Sequence, residues 1–367
     1  MRIAILNPAY WPEVRRGAER ILRELANGLI ARGHEPRLIT SHPGWPTRSV
    51  EDGMVVIRNW RPPDGRLRRR YYEDYLTHVP FSYLSLCRGH DEIAQAFHAP
   101  EAVAAARWAR STGQVSIHSH MGIPDRPHLL ARRRRLEAVV RAAGECDAVT
   151  VLSRSAAEAF RRELGVHARV IYPGVDLDAF APGPGRAERP TIMCAAPLDV
   201  PHKRVRMLVE ALPTLRRSHR EVRLELLRPA DRRAAEELRS LGIDLIDTVE
   251  DPRELAAAYR RAWVSALPSL GEAFGLVLAE SLACGTPVVG SNSAAIPEVI
   301  DRPEIGRLFD ADDPAALARA MLEALELAVD PASGAACRAR ASDFSLERFV
   351  GSYLSLYAEL LSAKRGR

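Results

Sequence analysis

The chain has 367 residues, 47% of them hydrophobic and 27% charged, with a formal net charge of +5. This length accommodates two medium domains with separate cores, and the composition is that of an ordinary globular chain rather than a disordered or fibrous one. No apolar run approaches the roughly 20 residues of a membrane span, the opening MRIAILNPAYWPE lacks the length and cleavage site of a signal peptide, and the arginines alternate with glutamates on helix-like stretches without aromatic interleaving. A cytoplasmic chain that binds no nucleic acid is therefore expected.

In chain order, Arg2 to Asn7 is a short apolar run that reads as the first strand of a parallel sheet. The next segment places Ile21, Leu22, Leu25, Leu29 and Ile30 on one helical stripe, stopped by Gly33. Pro36 to Thr40 and Met54 to Arg58 supply further strands, so right-handed parallel strand–helix–strand units are expected. Gly17 stands at the edge of the first helix, where unpaired N–H groups favour an anion; an ordinary turn glycine would look the same. From Pro62 to Arg88 an arginine run mixes with aromatics and gives no periodicity. It reads as a solvated surface, with an acceptor-facing loop or a membrane-surface patch as alternatives. His98, His118 and His120 fall at the ends of successive elements, where clefts of α/β domains form. A second arginine run, 132–135, opens an amphipathic helix ending near Gly144, and Asp147 to Ser153 is the next strand.

Val170 to Phe180 reads as a strand, a Pro-Gly turn and an acid-capped segment, and the Pro- and Gly-rich stretch that follows is linker-like. The pattern then restarts with strands at TIMCAAP, VRLELL, IDLI and WVSALP, separated by helices KRVRMLVEALPTL, DRRAAEELRSL and PRELAAAYRRA. Of the 52 basic residues only two are lysines, Lys203 and Lys364, so a chain that writes its cations as arginine keeps one lysine in its interior. Phe274 to Cys284 is apolar at helical spacing, with Phe274, Val277, Leu278, Ser281 and Leu282 on one face and Gly285 as the stop. Glu272 precedes this helix and Glu280 lies inside it, a little over two turns on. Pro287 to Gly290 is a buried strand, IGRLF another, and DPAALARAMLEALELA a helix with Asp312 or Asp313 at its cap. Helices from Pro331 and from Ser345 close the chain. The five cysteines are unpaired in spacing, suggest neither disulfides nor zinc, and read as small buried hydrophobes.

Together these motifs resemble the retaining glycosyltransferases of family 4, also described as glycosyl transferases group 1. The resemblance rests on PSLGEAFGLVLAESLACGTPVV, similar to the family's Glu-x-Phe-Gly and Glu-x7-Glu signature, on YPGVDLDAF, on Lys203 in DVPHKRVRMLVEAL, on Gly17 in RRGAER and on His98 in QAFHAP. It implies an α/β GT-B fold, two Rossmann-like domains with parallel sheets facing across a cleft. The divisions it implies are an acceptor-binding domain over 1–175, a donor-binding domain over 176–344, and a C-terminal helix over 345–367 that returns to the first.

The implied reaction moves a hexose from a UDP- or GDP-sugar to an acceptor hydroxyl with retention, without a metal or other cofactor. Carried over by position, His98, Lys203 and Glu272 are the catalytic set. Gly17, Lys203, Arg204, Glu272, Ala273, Phe274, Gly275, Leu276 and Glu280 hold the donor: Glu280 on the ribose, Glu272 on the sugar with the N–H groups of Phe274 and Gly275, Lys203 on the diphosphate, with Gly17 letting backbone approach it. His118 and His120 are alternative candidates for a second cleft histidine. The sequence departs from the family where Pro197 replaces an arginine, with Arg204 or Arg206 as substitutes, where Arg16 precedes Gly17 in place of a Gly pair, where Ala294-Ala295 replaces another, and where LLRPAD ends the third strand. The acceptor is expected to be a soluble small molecule or glycan. A lipid-linked acceptor reached by peripheral contact at the inner membrane face, through the arginines at 66–70 and 132–135, is the alternative, and a GT-B epimerase or a non-catalytic nucleotide-sugar binder are the competing functions.

Overall fold

The computed structural model describes residues 1–14, 16–63, 77–125, 129–130, 133–249, 251–310 and 312–366. The chain forms two compact units, Met1–Gly174 with Leu346–Arg367, and Val175–Ser345. The arginines at 66–70 and Arg132 lie outside the described residues.

The first unit runs β1 (Arg2–Leu6), α1 (Gly17–Ile30), β2 (Glu35–His42), β3 (Thr47–Glu51), β4 (Met54–Trp60), α2 (Val79–Cys87), β5 (Ile93–Ala96), α3 (Ala99–Thr112), β6 (Val115–His120), α4 (Arg133–Glu145), β7 (Ala148–Val151), α5 (Arg154–Leu164) and β8 (Arg169–Val170). The second runs β9 (Thr191–Cys194), a 3-10 turn at Pro201–Lys203, α6 (Arg206–Ser218), β10 (Arg223–Leu227), α7 (Arg232–Ser240), β11 (Asp244–Ile246), α8 (Pro252–Arg261), β12 (Val264–Leu267), α9 (Leu276–Ala283), β13 (Val288–Ser291), α10 (Ile296–Val299), β14 (Gly306–Phe309), α11 (Pro314–Val329) and α12 (Pro331–Ala341). The last helix, α13 (Leu346–Arg365), packs with the first unit.

In the first sheet the strand order is β3-β4-β2-β1-β5-β6-β7-β8, and in the second β11-β10-β9-β12-β13-β14. The described pairings are parallel except β3–β4, an antiparallel edge hairpin that the apolar pattern did not announce because β3 buries none of its five residues fully. Central strands are continuous apolar runs since helices cover both faces: Ile3, Ala4, Ile5 and Leu6 of β1 have no exposed surface. They pair with Pro36–Ile39 on one side and Ile93–Ala96 on the other. Each order reverses once, between β1 and β5 in the first sheet and between β9 and β12 in the second. Loops at the carboxyl ends of strands flanking such a reversal are where open α/β sheets bind ligands.

Helix α13 is tied to the first unit by polar groups in its own core. The Tyr353 hydroxyl lies 3.2 Å from Ser119 Oγ and 3.1 Å from Thr150 Oγ1, and the Tyr357 hydroxyl donates to Gln95 Oε1. A Cβ at Gly28 would overlap Val350 Cγ2, so the missing side chain on α1 lets α13 approach.

Several boundaries differ from the sequence expectation. The strand expected from Val170 is only Arg169–Val170. Lys203 stands in a 3-10 turn rather than in the following helix, because Arg204 takes a left-handed conformation (φ 53°) that ends the turn. The helix expected from Phe274 begins at Leu276, because Gly275 also turns left-handed (φ 98°). Of the two candidate caps, Asp313 accepts from Ala315 N at 2.8 Å. Not every cysteine is a buried hydrophobe either, for Cys87 is exposed at the end of α2.

Candidate functional site

In the second unit the two loops at the reversal are drawn together by backbone: Leu270 N donates to the His202 carbonyl at 2.8 Å. That contact sets the turn after β9 beside the loop after β12. Lys203 Nζ then donates to Glu272 Oε2 at 2.6 Å, with side chains only 21% and 15% exposed. An ion pair this far out of water persists because each charge is the other's compensation.

Four helices of this unit, α7, α8, α11 and α12, are capped by aspartates: Asp231, Asp251, Asp313 and Asp330 each accept an N–H at 2.8–3.0 Å. Helix α9 starts instead from Gly275, which has no side chain to give. Its first-turn N–H groups therefore receive no cap from the residue that starts the helix, beside the Lys203–Glu272 pair. Such an end attracts an anion through its N–H groups and its dipole.

Phe274 is buried edge-on against Phe344, with ring centroids 5.0 Å apart, and anchors this turn. Ala273 and Leu276 are half-buried around it. Glu280 has no exposed surface, and its Oε2 accepts from the Tyr259 hydroxyl at 3.2 Å. Tyr259 was not visible as a site residue in the sequence, where an aromatic on an apolar stripe reads as core. The two arginines weighed as substitutes for Pro197 diverge. Arg204 is mostly buried with its guanidinium 3.1 Å from Asp312, whereas Arg206 is exposed and pairs with Glu237 at 3.5 Å. Ala294, where a Gly pair is usual, holds a left-handed φ of 53°, a conformation a glycine would adopt at no steric cost.

In the first unit Gly17 is the first residue of α1, after Arg16 and Glu19 have closed a capping box. An added Cβ there would meet nothing within 4 Å, so open space borders the helix end that follows β1. His98 follows β5, the other strand at the reversal, and occupies the N-cap position of α3 without a side-chain capping hydrogen bond. Its Nδ1 lies 2.8 Å from Glu101 Oε2, and Glu101 Oε1 lies 2.7 Å from Nε2 of the buried His78. Neither Glu101 nor His78 was singled out in the sequence, although His98-x-x-Glu101 has the spacing of a helix-start contact. His118, buried in β6, places Nε2 3.3 Å from Nδ1 of His120, whose ring also meets Phe160 edge-on. His98, His118 and His120 thus lie near one another in the first unit, while Lys203, Glu272, Phe274 and Glu280 gather in the second. Among the described residues no group of three or more His, Cys, Asp or Glu side chains is placed to hold a metal ion, and no helix is long and apolar enough to cross a membrane.

Two doubly wound parallel-sheet units, the second offering a lysine, a carboxylate and a side-chain-free helix start at its reversal, define an α/β protein with an anion-ready loop cluster. Residues 15–179 match the family model described as Glycosyltransferase Family 4, and residues 189–327 match Glycosyl transferases group 1. The chain belongs to this family of glycosyltransferases. It is 32% identical over 258 residues, 62% of its own length, to the GDP-mannose-dependent alpha-(1-6)-phosphatidylinositol monomannoside mannosyltransferase of Mycolicibacterium smegmatis. It is also 36% identical over 172 residues, 44% of its length, to the phosphatidyl-myo-inositol mannosyltransferase of Mycobacterium leprae. The matched parts span 65% and 45% of those relatives. Among solved structures, a sucrose-phosphate synthase from Thermosynechococcus elongatus superposes with a TM-score of 0.84 at 22% identity, over 99% of both chains. An Anabaena protein, HepE, in complex with UDP-glucose gives 0.71 at 18%, over 99% of this chain and 100% of that one. The fold is therefore GT-B.

The histidine cluster carries a pH signature. Burial, reinforced by His120, pushes the His118 imidazole down to about 3, and burial with the charge of His98 pushes His120 down to about 4. In the unfolded chain both titrate near 6.5. Between those values the unfolded state binds more protons, so stability falls as pH drops from about 6.5 toward about 3. Urea unfolding should therefore give a lower midpoint at pH 5 than at pH 7, and His118→Asn should shrink the difference by about 2 kcal/mol; an unchanged difference would show that His118 protonates normally in the folded state.

Proposed function

We propose that the chain transfers a hexosyl group from a nucleoside diphosphate sugar to an acceptor hydroxyl with retention of configuration. The observation that carries this reading is the Lys203–Glu272 pair at the start of α9. As the bond from the anomeric carbon to the diphosphate breaks, negative charge grows on the departing phosphate. A lysine and helix N–H groups fixed beside it stabilise that charge more in the transition state than in the ground state.

In this reading Lys203 exchanges Glu272 for the diphosphate, and Glu272 is released to accept hydrogen bonds from sugar hydroxyls. The ligand-free pair is then a charge-balanced site waiting for an anion and a polyol together. Glu280, steadied by Tyr259, takes the ribose hydroxyls, which requires its carboxylate to become accessible on binding. Arg204 is the better placed of the two arginines to add charge, being in the turn that holds Lys203. GDP-mannose enters the name of one relative and UDP-glucose accompanies one structural neighbour; these support a UDP- or GDP-sugar as the donor class.

For the acceptor, a soluble small molecule or glycan remains the first reading. A lipid-linked acceptor is favoured by one observation in the first unit, where Trp45 is 88% exposed and Phe81 and Leu84 also stand in solvent. Two relatives named for phosphatidylinositol substrates support it.

Lys203→Ala should lower kcat/KM for donor turnover by about 10²–10³-fold and Glu272→Gln by about 10²-fold, as losses of transition-state charge stabilisation and of sugar contacts, measured by release of nucleoside diphosphate. Full turnover in both variants would remove the transferase reading. Sedimentation with anionic vesicles should leave the protein in the supernatant if the acceptor is soluble; binding that falls with salt and is lost in Trp45→Ala would establish the membrane-surface reading instead.

A further inference from the structure

The amino ends of β9, β10 and β11 form the edge of the second sheet opposite to the loops that carry Lys203 and Glu272. The segments that enter these strands border an open hollow of about 630 Å³. Five arginines line it: Arg189 before β9, Arg216 in the last turn of α6, Arg220 after it, Arg223 at the start of β10, and Arg239 in the last turn of α7. β9 and β10, four and five residues long, run about 15 Å from this edge to the other. The hollow is therefore a separate place on the same sheet.

Two of the arginines are already fixed. Arg223 holds both oxygens of Asp244 at 2.7 Å. Arg216 donates to the carbonyls of Leu241 and Gly242 at 3.2 and 2.9 Å, beside the left-handed turn at Gly242 (φ 70°). The other three are uncommitted. Among the described residues the exposed side chains of Arg189, Arg220 and Arg239 form no ion pair or hydrogen bond. Arg239 senses Asp247, but that carboxylate is already paired with Arg228.

The charges around the hollow do not cancel. Glu221 and Asp244 are the acids in its lining, so five arginines against two carboxylates leave three positive charges. The carboxyl ends of α6 and α7 each add about half a negative charge, and about two positive charges remain. Complementing those helix ends gives a reason for Arg216 and Arg239. It gives none for Arg189 and Arg220, which lie in loops.

The chemistry of the lining narrows what could settle there. Among the described residues it has no aromatic, hydroxyl or amide side chain, and Val222 and Ile243 beneath it are buried. Such a surface has nothing to stack on a base and no neutral side chain to read a sugar. Guanidinium forks bind phosphate oxygens in pairs.

We propose that this hollow is a second anion site, for a small soluble ligand carrying adjacent phosphate groups. Arg189, Arg220 and Arg239 close on the ligand, and Arg216 and Arg223 form the fixed wall behind it. The site is independent of the glycosyl-transfer reading, because it shares no residue with the donor loops.

The test is calorimetric titration of the full chain with inorganic pyrophosphate, in Lys203→Ala so that the donor loops do not contribute. Pyrophosphate should bind this variant. Adding Arg220→Ser or Arg239→Ser should weaken binding roughly 10-fold each, the scale of one charge-assisted hydrogen bond. Arg220→Lys should weaken it less, because the charge stays while the fork is lost. Arg319→Ser removes one exposed charge from α11 of the same unit and should change affinity by no more than about 2-fold, since exposed charges at a distance are screened. No binding to Lys203→Ala overturns the proposal, as does an equal loss in Arg220→Ser and Arg319→Ser. The comparison of those two arginine variants can also be made on the otherwise wild-type chain, so the test survives a Lys203→Ala that does not fold. Anionic vesicles that bind through Arg220 while pyrophosphate does not would make the hollow a membrane contact and overturn the small-ligand proposal.

Discussion

The contact on which the second unit's site depends is the 2.6 Å ion pair between Lys203 and Glu272. The two residues are 69 positions apart in sequence, and they meet because β9 and β12, the strands that precede their loops, are neighbours at the point where the sheet order reverses. Two partly buried charges would be costly separately; together they hold the two loops in one arrangement and keep the site neutral until an anion arrives. The same logic explains why α9 lacks the aspartate cap of α7, α8, α11 and α12. Under the proposed function an acid at position 275 would place a second fixed negative charge where the diphosphate would bind, whereas a glycine supplies the left-handed turn and leaves the N–H groups without a side-chain cap.

The first unit uses the same topology for a different kind of group. Gly17 and His98 follow the two strands flanking its own reversal, as Lys203 and Glu272 do in the second. There the polar groups form a buried histidine and carboxylate cluster, held by the core of the sheet and not by loop contacts alone. Helix α13, tied to Gln95, Ser119 and Thr150 through two tyrosine hydroxyls, lies under the same strands that carry His98 and His118. The end of the chain therefore supports the strands from which the histidines emerge.

What the sequence made legible was what recurs locally. Apolar runs located the central strands, the lone interior lysine and the Glu-x7-Glu spacing pointed to the loops after β9 and β12 that meet at the sheet reversal, and glycine marked where helices stop. Boundaries failed where a single left-handed residue reset the backbone: Gly275 delayed α9 and Arg204 detached Lys203 from α6, and neither φ is written in hydrophobic periodicity. The edge hairpin at β3 was invisible because a strand with no fully buried residue has no apolar signature. Glu101, His78 and Tyr259 escaped for another reason. Each acquires its meaning from a partner on a different element, and a fully buried glutamate cannot be told from a surface one until the fold shows what surrounds it.

The account's central claim is that the loops after β9 and β12 bind a nucleoside diphosphate through Lys203. Thermal unfolding of the wild type and of Lys203→Ala with UDP, GDP and ADP tests it directly, because a ligand that binds only the folded chain raises the unfolding temperature in proportion to its affinity. The account predicts that at least one of the three raises the wild-type transition and that the increase is largely lost in the variant. No shift with any of them, or an equal shift in both proteins, would contradict it.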